Sequence, residues 1–202
     1  REVNGVHIDS GPTVFTMRWV FDALLRSVGT SVEAEMRITP LPVLARHFWP
    51  DGSQLDLSAN AQESEANIEK WSSPSEALLF RKFCQTAQDT YNSLEGPVIR
   101  SPRPNMLSLM GSLGPRGLGQ LAQLGPMRTL WQQMCLQFKD ERLRQLFARY
   151  ATYCGSSPWE APATLLLIAQ VEMAGVWSAK GGMTALSNAL MRLSQARGAE
   201  FK

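Results

Sequence analysis

Little in this chain suits metal or thiol chemistry. Its 202 residues include three cysteines and two histidines. Cys84, Cys135 and Cys154 lie far apart, no C-x-x-C occurs, and His7 and His47 stand alone. An odd number of scattered thiols argues against a disulfide framework, and without clustered Cys and His no metal site is expected. Charge is scarce as well, at 19% of residues with a formal net charge of +2. No Lys/Arg cluster rises above a solvated helix face, so a nucleic-acid partner has no electrostatic footprint here. Long apolar runs are missing. The longest, Ala161 to Ala174, is interrupted by Gln170 and Glu172 and is too short and too polar to span a bilayer.

Catalytic signatures are equally sparse. There is no G-x-S-x-G nucleophile elbow, and Gly155-Ser156-Ser157 lacks the second glycine. The glycine-rich stretch Gly111 to Gly119 carries its spacing in reverse relative to a dinucleotide fingerprint and contains Pro115, so it reads as a loop leading into a short helix. Asp140-Glu141 falls at a helix start, where carboxylates offset the macrodipole, and no catalytic acid–base pair is nominated. The chain opens on Arg1 with no charged leader and apolar core behind it. It is therefore expected to be an internal piece of a larger protein, with reduced thiols in a cytoplasmic compartment.

What is present is a hydrophobic fraction of 44% and enough chain to bury a core. Asn4-Gly5 between Val3 and Val6 predicts a hairpin, and Gly11-Pro12-Thr13 stops the strand. Thr16 is the expected N-cap of a helix running to Val28 and closed by Gly29, with Val20, Phe21, Leu24, Leu25 and Val28 forming one buried face. Between Glu33 and Leu57, alternation and the Pro40, Pro42, Pro50 and Asp51-Gly52 punctuation predict three short strands with a hairpin turn at Asp51-Gly52. Phe48 and Trp49 beside that turn either cap the core or line a pocket. Helices are expected over 61–71, from Ser73 or Ser75 to 94, and over 127–138, 141–154, 163–174 and 183–197, with 95–125 mostly loop. Strands first and helices later give an α+β class, a small antiparallel sheet plus a helical cluster. The helix over 163–174 is apolar nearly all round, and that over 127–138 carries Leu130, Trp131, Met134, Cys135 and Phe138; both suit either plain core or the wall of a site for a long hydrocarbon.

Three stretches together carry a family resemblance: Ile8-Asp9-Ser10-Gly11-Pro12-Thr13-Val14-Phe15, then Leu146 through Tyr150-Ala151-Thr152-Tyr153-Cys154-Gly155-Ser156-Ser157-Pro158, and Gly175-Val176-Trp177 with Gly181-Gly182-Met183. In order and across nearly the whole chain, they resemble the phytoene desaturase family of flavoproteins. Within it, the resemblance is to bacterial desaturases of hydroxylated or methoxylated carotenoids. The resemblance implies an FAD cofactor, with Arg1, Gly11, Pro12, Thr13, Gly181, Gly182 and Met183 on the flavin side. It implies 1–29 as a remnant of the flavin domain, 30–175 as the substrate-binding part and 176–202 as the return crossing. No stretch here matches the family's G-x-G-x-x-G or its C-terminal flavin segment. The chain alone is thus expected to hold FAD weakly and to be inactive, and the surfaces left by the missing flavin domain are expected to favour self-association. A carotenoid substrate implies peripheral contact with the inner membrane, for which Met106 to Leu124, with Arg103, Arg116 and Arg128 nearby, is the candidate. Other readings are a self-contained helical module binding an apolar ligand or partner, and another amine-oxidase-like flavoprotein such as a carotenoid isomerase.

Overall fold

The computed structural model describes residues 2–9, 11, 14–102, 119 and 128–201. The chain divides into two compact units, Arg1–Pro42 with Ala174–Lys202, and Val43–Met173.

The first unit begins with β1 (Glu2–Val3) and β2 (Val6–His7), an antiparallel pair turned by Asn4 and Gly5 at φ 50° and 77°. Two consecutive positive φ values make the turn type that matches strand twist, which is why Asn-Gly stands there. Helix α1 (Arg18–Ser27) starts later than Thr16 predicts, after Met17 in a left-handed conformation with no side-chain cap. Phe15 explains the delay. Its N–H and C=O exchange hydrogen bonds with Trp177 at 3.0 and 2.8 Å, so the chain stays extended through 15 and turns only at 17. α2 (Val32–Glu35) follows, its first turn capped by the Ser31 hydroxyl. β3 (Ile38–Pro40) then pairs antiparallel with β6 (Trp177–Ala179), and α8 (Thr184–Gln195) closes the unit. Phe15, Leu25, Val32, Met36 and Leu186 are the core, joined by half-buried Phe21 and Trp177. The predicted buried face of α1 is only partly covered. Leu25 is 1% exposed, but Val20 and Leu24 are 38% and 45% exposed.

The second unit opens with β4 (Val43–Phe48) and β5 (Gln54–Ser58), an antiparallel hairpin. Gly52 at φ 80° and an Asp51 carboxylate accepting from the Ser53 N–H at 2.8 Å build the turn. The three predicted strands therefore exist, but β3 belongs to a different ladder. α3 (Ala61–Trp71) is capped by Asn60, and α4 (Pro74–Leu94) by Ser73, whose hydroxyl accepts from the Glu76 N–H. α4 runs into one π-helical turn, Glu95–Ile99, where Pro97 has no N–H to continue the α ladder. α5 (Leu130–Gln137) carries a full capping box between Thr129 and Gln132. α6 (Glu141–Ala148), capped by Asp140, continues as a 3-10 turn through Cys154, and a second 3-10 turn, Ala163–Leu167, leads into α7 (Ile168–Met173). Phe147 centres the core, with ring centroids 4.5, 5.1 and 5.8 Å from Phe83, Phe138 and Phe80. Trp49 packs on Trp71 at 4.7 Å and so caps the core, whereas Phe48 is 69% exposed. The glycine-rich stretch from 111 and the candidate membrane segment from 106 lie, apart from Gly119, outside the described residues.

Candidate functional site

Two places gather chemistry, one in each unit. In the first unit, Asp9 reaches the loop before α8. Its Oδ2 accepts from the Met183 N–H at 2.6 Å, and its Oδ1 accepts from the Thr184 hydroxyl at 2.8 Å and the Thr184 N–H at 3.3 Å. A helix leaves its first N–H groups without partners, and a carboxylate there meets both the hydrogen-bond and the dipole requirement. These bonds, first that from Met183, hold the Asp9 carboxyl below the usual carboxylate range. The arrangement needs glycine at 182. Gly182 has φ 74°, and a Cβ there would stand 2.3 Å from Asp9 Oδ2. Gly181, at φ 88°, has only the Ala185 Cβ near that position, at 4.0 Å, and Gly11 has nothing within 4 Å. The structure thus brings Asp9 together with Gly182, Met183 and Thr184. Arg1, Pro12 and Thr13 lie outside the described residues.

In the second unit, Glu172 projects from α7 as a buried carboxylate, 7% exposed. It accepts from Arg149 Nη2 at 2.6 Å and Nη1 at 3.1 Å, from the Tyr150 hydroxyl at 3.1 Å and from the Tyr153 hydroxyl at 2.9 Å. A carboxylate offers about four acceptor directions, and these four donors fill them. Burial, then the facing Glu172 carboxylate, pushes the Tyr150 and Tyr153 phenols above their ordinary value. Burial works against the Arg149 charge, but Tyr150 and Glu172 outweigh it and raise its pKa. Beside this cluster lies a cavity of about 20 Å³ walled by Leu44, Leu57, Phe80, Phe147 and Met173, with Tyr150 and Glu172 at its polar side. Among the described residues no group of His, Cys, Asp and Glu is placed to hold a metal ion.

Sequence reasoning named Gly182 and Met183 but gave no role to their partner Asp9, and it passed over the Arg149–Glu172 cluster. The available signal was Glu172 itself, a carboxylate in an otherwise apolar helix, which demands a buried cation or donors.

No protein-family model matches the chain. It is 52% identical over 201 residues to a hydroxyneurosporene desaturase of Rubrivivax gelatinosus, an alignment covering 99% of this chain and 38% of that protein. It is 41% identical to the hydroxyneurosporene desaturase of Rhodobacter capsulatus, over 96% of this chain and 39% of the relative. A phytoene desaturase of Cercospora nicotianae is 28% identical over 98% of the chain. Along nearly its whole length the chain is similar to carotenoid desaturases. It spans about two fifths of the length of the hydroxyneurosporene desaturases it matches, 38% and 39%. The mixed helices and small antiparallel ladders agree with the α+β class expected for such a piece, and a self-contained binding module is not favoured. Among the described residues, no helix of this chain is long and apolar enough to cross a membrane.

Proposed function

We propose that this chain is the substrate-binding part of an FAD-dependent oxidoreductase that desaturates a hydroxylated or methoxylated carotenoid. The observation that carries the reading is the 52% identity to a hydroxyneurosporene desaturase along 99% of the chain. The chemistry FAD supplies when bound is acceptance of a hydride from one carbon of the polyene while a proton leaves its neighbour. The chain's own residues have the complementary tasks. The aromatic walls around Phe147 and the apolar face of α7 exclude water from a long hydrocarbon. Asp9 fixes the crossing at Gly181-Gly182-Met183, so that main chain without side chains, at Gly11 and Gly181, faces a planar ring. Arg1, Pro12 and Thr13 take the flavin side by resemblance alone. The Cβ direction at Gly182 is filled by Asp9, so Gly182 also supports the crossing.

The substrate partitions into lipid, so the protein works in the cytoplasm at the periphery of the inner membrane, with 106–124 as the contact segment. The exposed Val20 and Leu24 on α1 mark a surface that self-associates unless the rest of the flavin domain covers it. A flavin titration tests the reading. The parent-length protein should bind FAD saturably and turn yellow, and this chain should do so weakly or not at all. Failure of the parent-length protein to bind FAD would overturn the proposal.

A further inference from the structure

The polar cluster of the second unit holds two buried nitrogens without hydrogen-bond partners, His47 Nε2 and Arg149 Nε. They lie near enough for the Arg149 charge to bear on the His47 imidazole. Trp49, directly after β4, donates its indole N–H to Gln145 of α6 at 3.1 Å. His47 lies two residues back on the same strand face, and Arg149 lies one helical turn on from Gln145. The strand and the helix therefore present His47 and Arg149 to each other. The His47 ring stays beside Trp49, with centroids 6.1 Å apart, and the Arg149 guanidinium lies over Tyr150, 4.7 Å from the ring centroid.

Buried polar groups without partners are costly, and each one calls for an explanation such as a bound water or ligand group. The chemistry of that acceptor follows from what surrounds it. Arg149 is already neutralised by Glu172, so a further anion would face a carboxylate. Burial and the adjacent Arg149 hold His47 below the usual imidazole range, so it is neutral at neutral pH. A neutral oxygen therefore fits: it accepts from Arg149 Nε–H and meets the uncharged imidazole. Apolar space adjoins the cluster, since the cavity walled by Leu44, Leu57 and Phe147 reaches Tyr150 and Glu172. At about 20 Å³ it has room for a single water-sized group, and the flexible Met173 at its wall is the side chain that must give way for more.

Resting on the desaturase reading, we propose that His47 and Arg149 form the subsite for the terminal hydroxyl or ether oxygen of the polyene. The pair distinguishes an oxygenated carotenoid end from a plain hydrocarbon end. An internal water offers the same chemistry, and the experiment separates the two sources.

The parent-length flavoprotein is assayed with two polyenes of equal length, one bearing a tertiary terminal hydroxyl and one with hydrogen in its place. Wild type is expected to prefer the hydroxylated polyene in kcat/KM by about 10-fold, as for one buried hydrogen-bonding group left unmatched. His47→Phe is expected to bring that ratio toward parity, chiefly through KM. His47→Gln, which keeps a donor and an acceptor, is expected to retain most of the preference. His47 is half-buried on a two-stranded hairpin, so both variants are expected to fold. A His47→Phe enzyme with the wild-type ratio means that the pair binds only water, and overturns the proposal. A wild-type enzyme that desaturates both polyenes without preference overturns it as well, while the desaturase reading stands. A wild type that desaturates neither removes that reading and this subsite with it.

Discussion

The Arg149–Glu172 pair should behave as a buried ion pair, with an asymmetry set by its exposure. The Glu172 side chain is 9% exposed and that of Arg149 27%, with 2.6 Å between Nη2 and Oε2. Breaking a buried pair by removing one partner costs about 3–5 kcal/mol, because the other charge is left uncompensated. Arg149→Met leaves Glu172 with only two tyrosine hydroxyls, so it should lie in that range. Glu172→Leu leaves an arginine that can extend toward water, so its cost should fall lower, at about 2 kcal/mol. The double variant removes both charges and should stay within about 1 kcal/mol of wild type, since apolar replacement of a whole buried pair is often neutral. At about 2–4 °C per kcal/mol for a chain of this size, Arg149→Met should melt roughly 6–20 °C lower. Urea unfolding followed by circular dichroism gives the four corners of the cycle, with equal m-values as the check on a common transition. A coupling below about 1 kcal/mol would refute the reasoning, because the pair would then be no stronger than a surface ion pair.

Further outcomes follow from the same geometry. Gly181→Ala should cost about 1–2 kcal/mol for its left-handed backbone, whereas Gly182→Ala meets Asp9 Oδ2 at 2.3 Å and should melt clearly lower than Gly181→Ala. Asp9 has its carboxyl lowered from an unfolded value of 3.8, so its contribution is present above that pH and disappears as pH falls through the folded value. The stability gap between wild type and Asp9→Asn should therefore close on acidification below about pH 4, as read by urea midpoints across pH. Burial pushes the Cys84 thiol to about 12, while Cys135 and Cys154 are exposed. Iodoacetamide at pH 8 should accordingly label Cys135 and Cys154 and spare Cys84, as mass spectrometry of the native protein would show. Phe147→Ala should cost about 3–5 kcal/mol, since Phe147 is 1% exposed and four rings lose contact with it.

Most of the local architecture was legible. Asn4-Gly5 and Asp51-Gly52 announced their turns, and Asn60, Ser73 and Asp140 announced their helices, because turns and caps depend on neighbours in sequence. Pairings across long separations were not. β3 carries no mark that its partner is Trp177–Ala179, and Thr16 looks like a cap only until Phe15 is known to be bonded to Trp177. The site followed the same division. Gly182 and Met183 stood out as part of a motif, but what makes Gly182 necessary is a carboxylate from residue 9. Glu172 was visible as an interruption in an apolar helix, yet its partners at 149, 150 and 153 lie on another element. A carboxylate in an apolar segment tells the reader that donors exist without telling where.

The account turns on this chain lining the substrate of a flavin-dependent desaturase. The most direct measurement is to mix the parent-length protein, loaded with FAD, with a terminally hydroxylated polyene under anaerobic conditions and follow the visible spectrum. The flavin should bleach while the polyene absorption moves to longer wavelength, one conjugated double bond gained for each flavin reduced. A flavin that binds but stays oxidised, with the polyene spectrum unchanged, would contradict it.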